Sequence, residues 1–156
     1  MAAKSAVVDL ADRDVSDTRH LRNAGAVVCL SLRNNARLAS AAGLELCARL
    51  WTVDLSGCAL ASVDALLPLG ALGLLQLSNN RLDLRAALRL RNFHVGRLGL
   101  FGNPLLPALP GVAGAAAPLL LRSVLVEALP CVLALDDSFV RPPQFGQFRQ
   151  NPATHS

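Results

Sequence analysis

An apolar pattern that returns every 22 or 23 residues constrains this chain more than any other feature. The segments 27–37 (VVCLSLRNNAR), 50–60 (LWTVDLSGCAL), 72–82 (LGLLQLSNNRL) and 95–105 (VGRLGLFGNPL) align with apolar residues at places one, four and six. A weaker copy, 5–15 (SAVVDLADRDV), precedes them. The fourth-place residues Val8, Leu30, Val53, Leu75 and Leu98 stand 22, 23, 22 and 23 positions apart. Each such unit is too short to bury its apolar side alone, so consecutive units must stack. Places four and six alternate as one face of a short strand, which a turn follows.

The second half of each unit has a different beat. Leu38, Ala41, Leu44, Cys47 and Leu50 recur every third residue, as do Leu60, Val63, Leu66, Leu69 and Leu72. Three residues per turn is the 3₁₀ period, so a short helix with one inward ridge is expected behind each strand. The second unit carries one extra residue at Arg37, which restores the beat from Leu38. In the fourth unit DLRAALRLRNF predicts an α-helical turn or two, with Leu84, Ala87 and Leu88 inward and Arg85, Arg89 and Arg91 outward. After a proline-rich passage, Leu121, Val124, Leu125 and Ala128 follow i, i+3, i+4, i+7 spacing with Arg122, Ser123 and Glu127 opposite. CVLALDD then predicts a last short strand. Such an end is needed, because a stack of units otherwise leaves a row of leucines open to water.

These units resemble the 22-residue leucine-rich repeats of the protein phosphatase 1 regulatory-subunit type. The run Arg122, Leu125, Leu129, Pro130, Val132, Leu135, Asp136 and Val140 resembles the cap motif that closes repeats of that kind in spliceosomal, tubulin-folding and axonemal proteins. The resemblance implies an α/β fold, a short leucine-rich-repeat solenoid. Its parallel sheet would be concave and its 3₁₀ and α helices convex, with a helical cap at the end. The expected organisation is one domain over 1–140, of about five units with the cap at 117–140, followed by a tail at 141–156. Two departures stand out: Leu121 replaces the usual tyrosine of the cap, and Ser5 and Arg13 replace the apolar and Asn/Cys residues of the first unit. With four residues ahead of the first strand, that edge of the sheet is expected to be poorly covered.

Composition bounds the setting. At 156 residues, 53% hydrophobic and 17% charged, the chain reads as one globular domain. The net charge of +4 is split: Asp9, Asp12, Asp14 and Asp17 lie near the start, while Arg81, Arg85, Arg89, Arg91 and Arg97 lie in the second half. That is a dipole rather than a polybasic tract. The opening residues carry no long apolar run and so predict no secretory signal, which places the four cysteines in a reducing compartment. A cytoplasmic location is expected; the resemblance also admits a nuclear or ciliary one. The 24 uncharged residues between Arg97 and Arg122 could span a bilayer by length, but Pro104, Pro107, Pro110 and Pro118 interrupt them, and no membrane span is expected.

The resemblance implies a binding scaffold whose strand residues at places three and five form a curved platform. Asp9, Trp51, Asp54, Gln76 and Arg97 belong to that platform or adjoin it, and Arg33 and Phe101 stand at the neighbouring seventh place. Together they are the candidate contacts for a protein partner. Trp51, the only tryptophan, has the composition of an interface hot spot; alternatively, it covers a neighbouring unit. Catalysis is not expected, nor any cofactor or metal. His20, His94 and His155 fall in unrelated places, no cysteines stand in C-x-x-C spacing, and no glycine-rich phosphate loop follows a strand. The rival reading is a subunit of a nuclear ribonucleoprotein that meets RNA through Arg85, Arg89 and Arg91. Phe93 is the one aromatic nearby, so any such contact would be electrostatic. Cys58, between Gly57 and Ala59, invites a nucleophilic reading. It stands, however, at the ninth place, where other units have Asn35, Asn80 and Asn103, which predicts a thiol turned into the turn.

Overall fold

The computed structural model describes residues 5–105 and 116–140. Six strands, β1 (Ala6–Asp9), β2 (Val27–Ser31), β3 (Thr52–Asp54), β4 (Ala71–Gln76), β5 (His94–Gly99) and β6 (Val132–Leu135), pair in parallel in chain order. A seventh, β7 (Ser138–Phe139), turns back antiparallel on β6. The fold is therefore α/β, built on a six-stranded parallel sheet with few helices. The register follows the sequence alignment: Val8, Leu30, Val53, Leu75, Leu98 and Leu135 are successive partners across the sheet.

The core lies on one face of this sheet. First-place Val27, Leu50, Leu72 and Val95, fourth-place Leu30, Val53, Leu75 and Leu98, and sixth-place Leu32, Leu55, Leu77 and Leu100 are each no more than 2% exposed. Each large side chain buried this way contributes about 1.5–3 kcal/mol, so a polar residue at one of these places would be strongly destabilising. Because places one and four are both inward, the two places between them both emerge on the open face.

Short helices close the other side of the core. They run over Ala24–Ala26, Leu44–Leu46, Asp64–Leu69 and Arg89–Asn92 as 3₁₀ turns, with one α-helical turn, α1 (Leu84–Leu88). Leu38, Ala41, Leu44, Cys47 and Leu50 are buried, as are Leu60, Val63, Leu66 and Leu72, while Leu69 is half-buried. Asp83 caps α1 by accepting from the Ala86 amide at 2.7 Å. Arg85, Arg89 and Arg91 are exposed, and Arg89 pairs with Asp64 at 2.9 Å.

The turn after each strand explains which residues stand there. The eighth places, Asp12, Asn34, Gly57, Asn79 and Gly102, all have φ between 55° and 76°. Glycine, asparagine and aspartate are the residues that tolerate this left-handed backbone. One place further on, an asparagine amide joins two units. Asn80 donates to the carbonyls of Leu55 at 2.8 Å and Leu77 at 3.0 Å, and accepts from the Leu60 amide at 3.0 Å. Asn103 donates to Leu77 and Leu100 and accepts from Leu82; Asn35 donates to Leu10 and Leu32 and accepts from Val15. Cys58 is buried in the same column, and its thiol donates to Leu32 O at 3.3 Å.

The end of the sheet differs from the sequence reading in two details. On α2 (Ala116–Ala128), Leu125 is buried and Leu121 half-buried as expected, but Val124 points outward with Leu119 and Leu120. The packed strip runs through Leu121, Leu125, Val126 and Leu129, with Arg122 and Ala128 half-buried beside it, so of the four expected residues Val124 alone departs. Arg122 joins it because its guanidinium donates to the Leu135 carbonyl at 3.3 Å. The strand β7 is the second difference. Asp136 and Asp137, at φ 45° and 65°, reverse the chain, and the Asp136 carboxylate accepts from the amides of Leu100 at 2.6 Å and Phe101 at 3.0 Å. Residues 1–4, the proline-rich passage at 106–115 and the tail at 141–156 lie outside the described residues. No helix among the described residues is long and apolar enough to cross a membrane.

Candidate protein-binding face

The open face of the sheet is ruled into rows by the register. One row holds Val7, Cys29, Thr52, Leu74, Arg97 and Ala134; the next holds Asp9, Ser31, Asp54, Gln76 and Gly99. The second-place residues Trp51, Gly73 and Gly96 form a further row at the strand starts, because the outward pair between places one and four begins there.

Two glycines in that row make a depression. A side chain on Gly73 would collide with the indole of Trp51, which lies across it, and a Cβ on Gly96 would sit 2.6 Å from the Gly73 carbonyl oxygen. The result is an open groove of about 470 Å³. Trp51 and Thr52 bound it on one side and Leu133 and Ala134 on the other, while Leu74 and Arg97 run along its rim. The ring of Trp51 thus covers the neighbouring unit, as one of its two readings expected, and it also forms a wall of the groove.

The remaining candidates divide by position. Asp54 and Gln76 occupy the adjacent row; the Gln76 amide lies over Gly99, which has no side chain to displace it. Asp54 also accepts from the Ser56 amide at 2.9 Å, and Asp9 accepts from Ala11 at 3.0 Å in the same way, so both carboxylates shape their own turns. Asp9 lies on the edge strand, far from the groove, beside Val7, which is 77% exposed. Arg33 and Phe101 are exposed at the seventh places, away from the groove. Phe101 instead borders a smaller cavity of about 220 Å³ between the fifth turn and α2. Of the seven candidates, the fold brings Trp51 and Arg97 onto one groove.

The sequence reading missed Gly73, Gly96, Leu133 and Ala134. The glycines carried a usable signal, since they stand at the same place in consecutive units next to the unit holding Trp51. Leu133 and Ala134 carried none, because β6 follows the last of the aligned units.

Nothing on the described surface assembles a thiol or carboxylate centre. No group of three or more His, Cys, Asp or Glu residues among the described residues could hold a metal ion. All four cysteines are free; Cys47 and Cys58 are buried and Cys29 and Cys131 half-buried. Burial pushes the Cys58 thiol up from its ordinary range, and burial together with the nearby Glu45 carboxylate does the same to Cys47. The fold and face together describe an α/β protein with a parallel sheet whose open side carries a shallow groove. No family model matches the chain. No curated protein matches it either.

Proposed function

We propose that the chain is a non-catalytic leucine-rich-repeat adaptor that binds a protein partner through the open, concave face of its sheet. The observation that carries this reading is the groove over Gly73 and Gly96, walled by the lone tryptophan. A ring held over a glycine floor is pre-organised, so little freedom is lost when a partner covers it. The 22- and 23-residue period, strands paired in chain order and the asparagine column support the solenoid part of the reading. A cytoplasmic scaffold, with ciliary, cytoskeletal, nuclear or phosphatase-linked settings open to it, fits this architecture.

The test compares proximity labelling by the tagged chain in its native cell with the same experiment on Trp51→Ala and Leu74→Glu. Both variants are expected to lose the partner, with affinity for it falling roughly 30-fold or more for the tryptophan, while helicity and solubility stay unchanged. Partner recovery retained by both would place the site elsewhere. The ribonucleoprotein alternative would use the exposed ridge of Arg85, Arg89 and Arg91, where Arg89 meets Asp64 in a surface pair. It predicts instead that glutamate at Arg85, Arg89 and Arg91 weakens retention on RNA at low salt.

A further inference from the structure

We infer that the groove over Gly73 and Gly96 takes an extended protein segment that places an apolar side chain on the glycine floor and a carboxylate beside it on Arg97. This deepens the proposed binding role and rests on it. The chemistry of the groove is one-sided. Its walls are largely apolar, with the Thr52 hydroxyl and the Trp51 indole N–H as neutral polar side-chain groups, and Arg97 is its single charged residue. Among the described residues Arg97 has one ion pair, to Asp137 at 3.8 Å, and both side chains are largely in water. A contact that long and that exposed contributes little and is readily exchanged for a two-pronged guanidinium–carboxylate bond.

The shape narrows the ligand further. The groove is open, so it would leave much of a small molecule in solvent, whereas enclosed small-molecule sites bury most of theirs. Backbone pairing is closed to the ligand as well, because β4 is flanked by β3 and β5, and β5 by β4 and β6. Recognition must therefore run through side chains, as it does when a segment is laid across a sheet face. The chain's own tail, RPPQFGQFRQNPATHS, offers Phe145 and Phe148 as anchors but has arginine at 141 and 149 and no acidic side chain. Charge complementarity thus favours a separate acidic partner over self-docking.

The test selects binders from a phage-displayed library of random 12-residue segments on the full-length chain. The expected consensus is an aromatic or branched aliphatic residue with Asp or Glu within two positions. A synthetic segment of that consensus should lose about tenfold or more in affinity with Arg97→Glu, and replacing its acid by lysine should restore binding to that variant. Leu74→Glu should abolish binding of both segments, with an unchanged unfolding midpoint showing that the fold is intact. Binders that depend on Trp51 yet show no acidic preference and ignore Arg97→Glu would overturn this inference and leave the face in place. Binders indifferent to Trp51→Ala and Leu74→Glu would instead remove the face itself. A library with no enriched segment would overturn the extended-segment ligand, and binding of a synthetic peptide 141–156 in the groove would assign it to the tail.

Discussion

Asn80 and Cys58 occupy the same place in adjacent units, yet one holds its turn through four amide hydrogen bonds and the other through two sulfur contacts, of 3.3 and 4.0 Å. The difference lies in the unit before each. Ahead of Asn80, the eleventh-place amide of Leu60 has no local partner and is served by the Asn80 oxygen at 3.0 Å. Ahead of Cys58, the extra residue Arg37 lets the Leu38 amide close a turn on the Asn35 carbonyl at 2.9 Å. No acceptor is then required at 58, and a thiol donating to Leu32 O suffices. The last unit follows the same logic. No asparagine follows it among the described residues, and the Leu105 amide turns back onto Asn103 O at 2.8 Å. The insertion and the cysteine are thus one coupled change rather than two irregularities.

The comparison breaks first at Asn80. Asn80→Ala removes an acceptor from a buried amide and donors from two buried carbonyls, each costing about 1–3 kcal/mol when left unpaired. We expect a loss of about 3 kcal/mol, or roughly 10 °C in Tm, in urea or thermal unfolding. A change under about 1 kcal/mol would mean that the turn does not depend on its asparagine.

Deleting Arg37 tests the coupling directly. It restores the 22-residue spacing, strands the Leu38 amide, and removes the exposed Arg37–Asp14 pair at 3.1 Å, which itself contributes little. A loss of about 2 kcal/mol is expected. Adding Cys58→Asn to the deletion should recover about 1 kcal/mol of it, because the amide oxygen again finds a donor. In the intact chain the same substitution should change stability by less than about 1 kcal/mol, since the new oxygen gains nothing to accept. Equal effects in both backgrounds would show the two positions to be independent.

How far the sequence revealed this arrangement depends on the residue. The inward places were legible because burial selects leucine and valine with a fixed period, and the eighth and ninth places because left-handed turns and paired carbonyls accept few side chains. The role of Cys58 as a turn residue was legible from its register. Its dependence on Arg37 was not, because it rests on where one backbone amide points. On α2 the place of Arg122 was missed for a similar reason: it reads as solvent-facing until a carbonyl at Leu135 is there to receive it. On the open face, the resemblance and the register together made Trp51 and Arg97 candidates but gave no distance between them. The groove depends on the absence of side chains at Gly73 and Gly96 and on a strand that follows the last of the aligned units.

The last effect concerns the thiols themselves. Burial raises the pKa of Cys47 and Cys58 in the folded chain, so folding favours their protonated forms. Below the ordinary thiol range, near 8.5, both states keep these protons and stability does not depend on them. As pH climbs above that value the unfolded chain ionises first, and stability should fall by up to about 1.4 kcal/mol per pH unit for each thiol until the folded forms ionise too. Cys58→Ser and Cys47→Ala should each flatten part of that decline in unfolding curves taken at pH 8, 9 and 10. The same shifts order the chemistry at neutral pH. Cys29 and Cys131 are half-exposed, so a maleimide should modify them in the native chain before Cys58 or Cys47. Rapid native labelling of Cys58 would mean that the turn opens, and that the sulfur contacts to Leu32 O and Ser56 O hold it less firmly than an asparagine holds its neighbour.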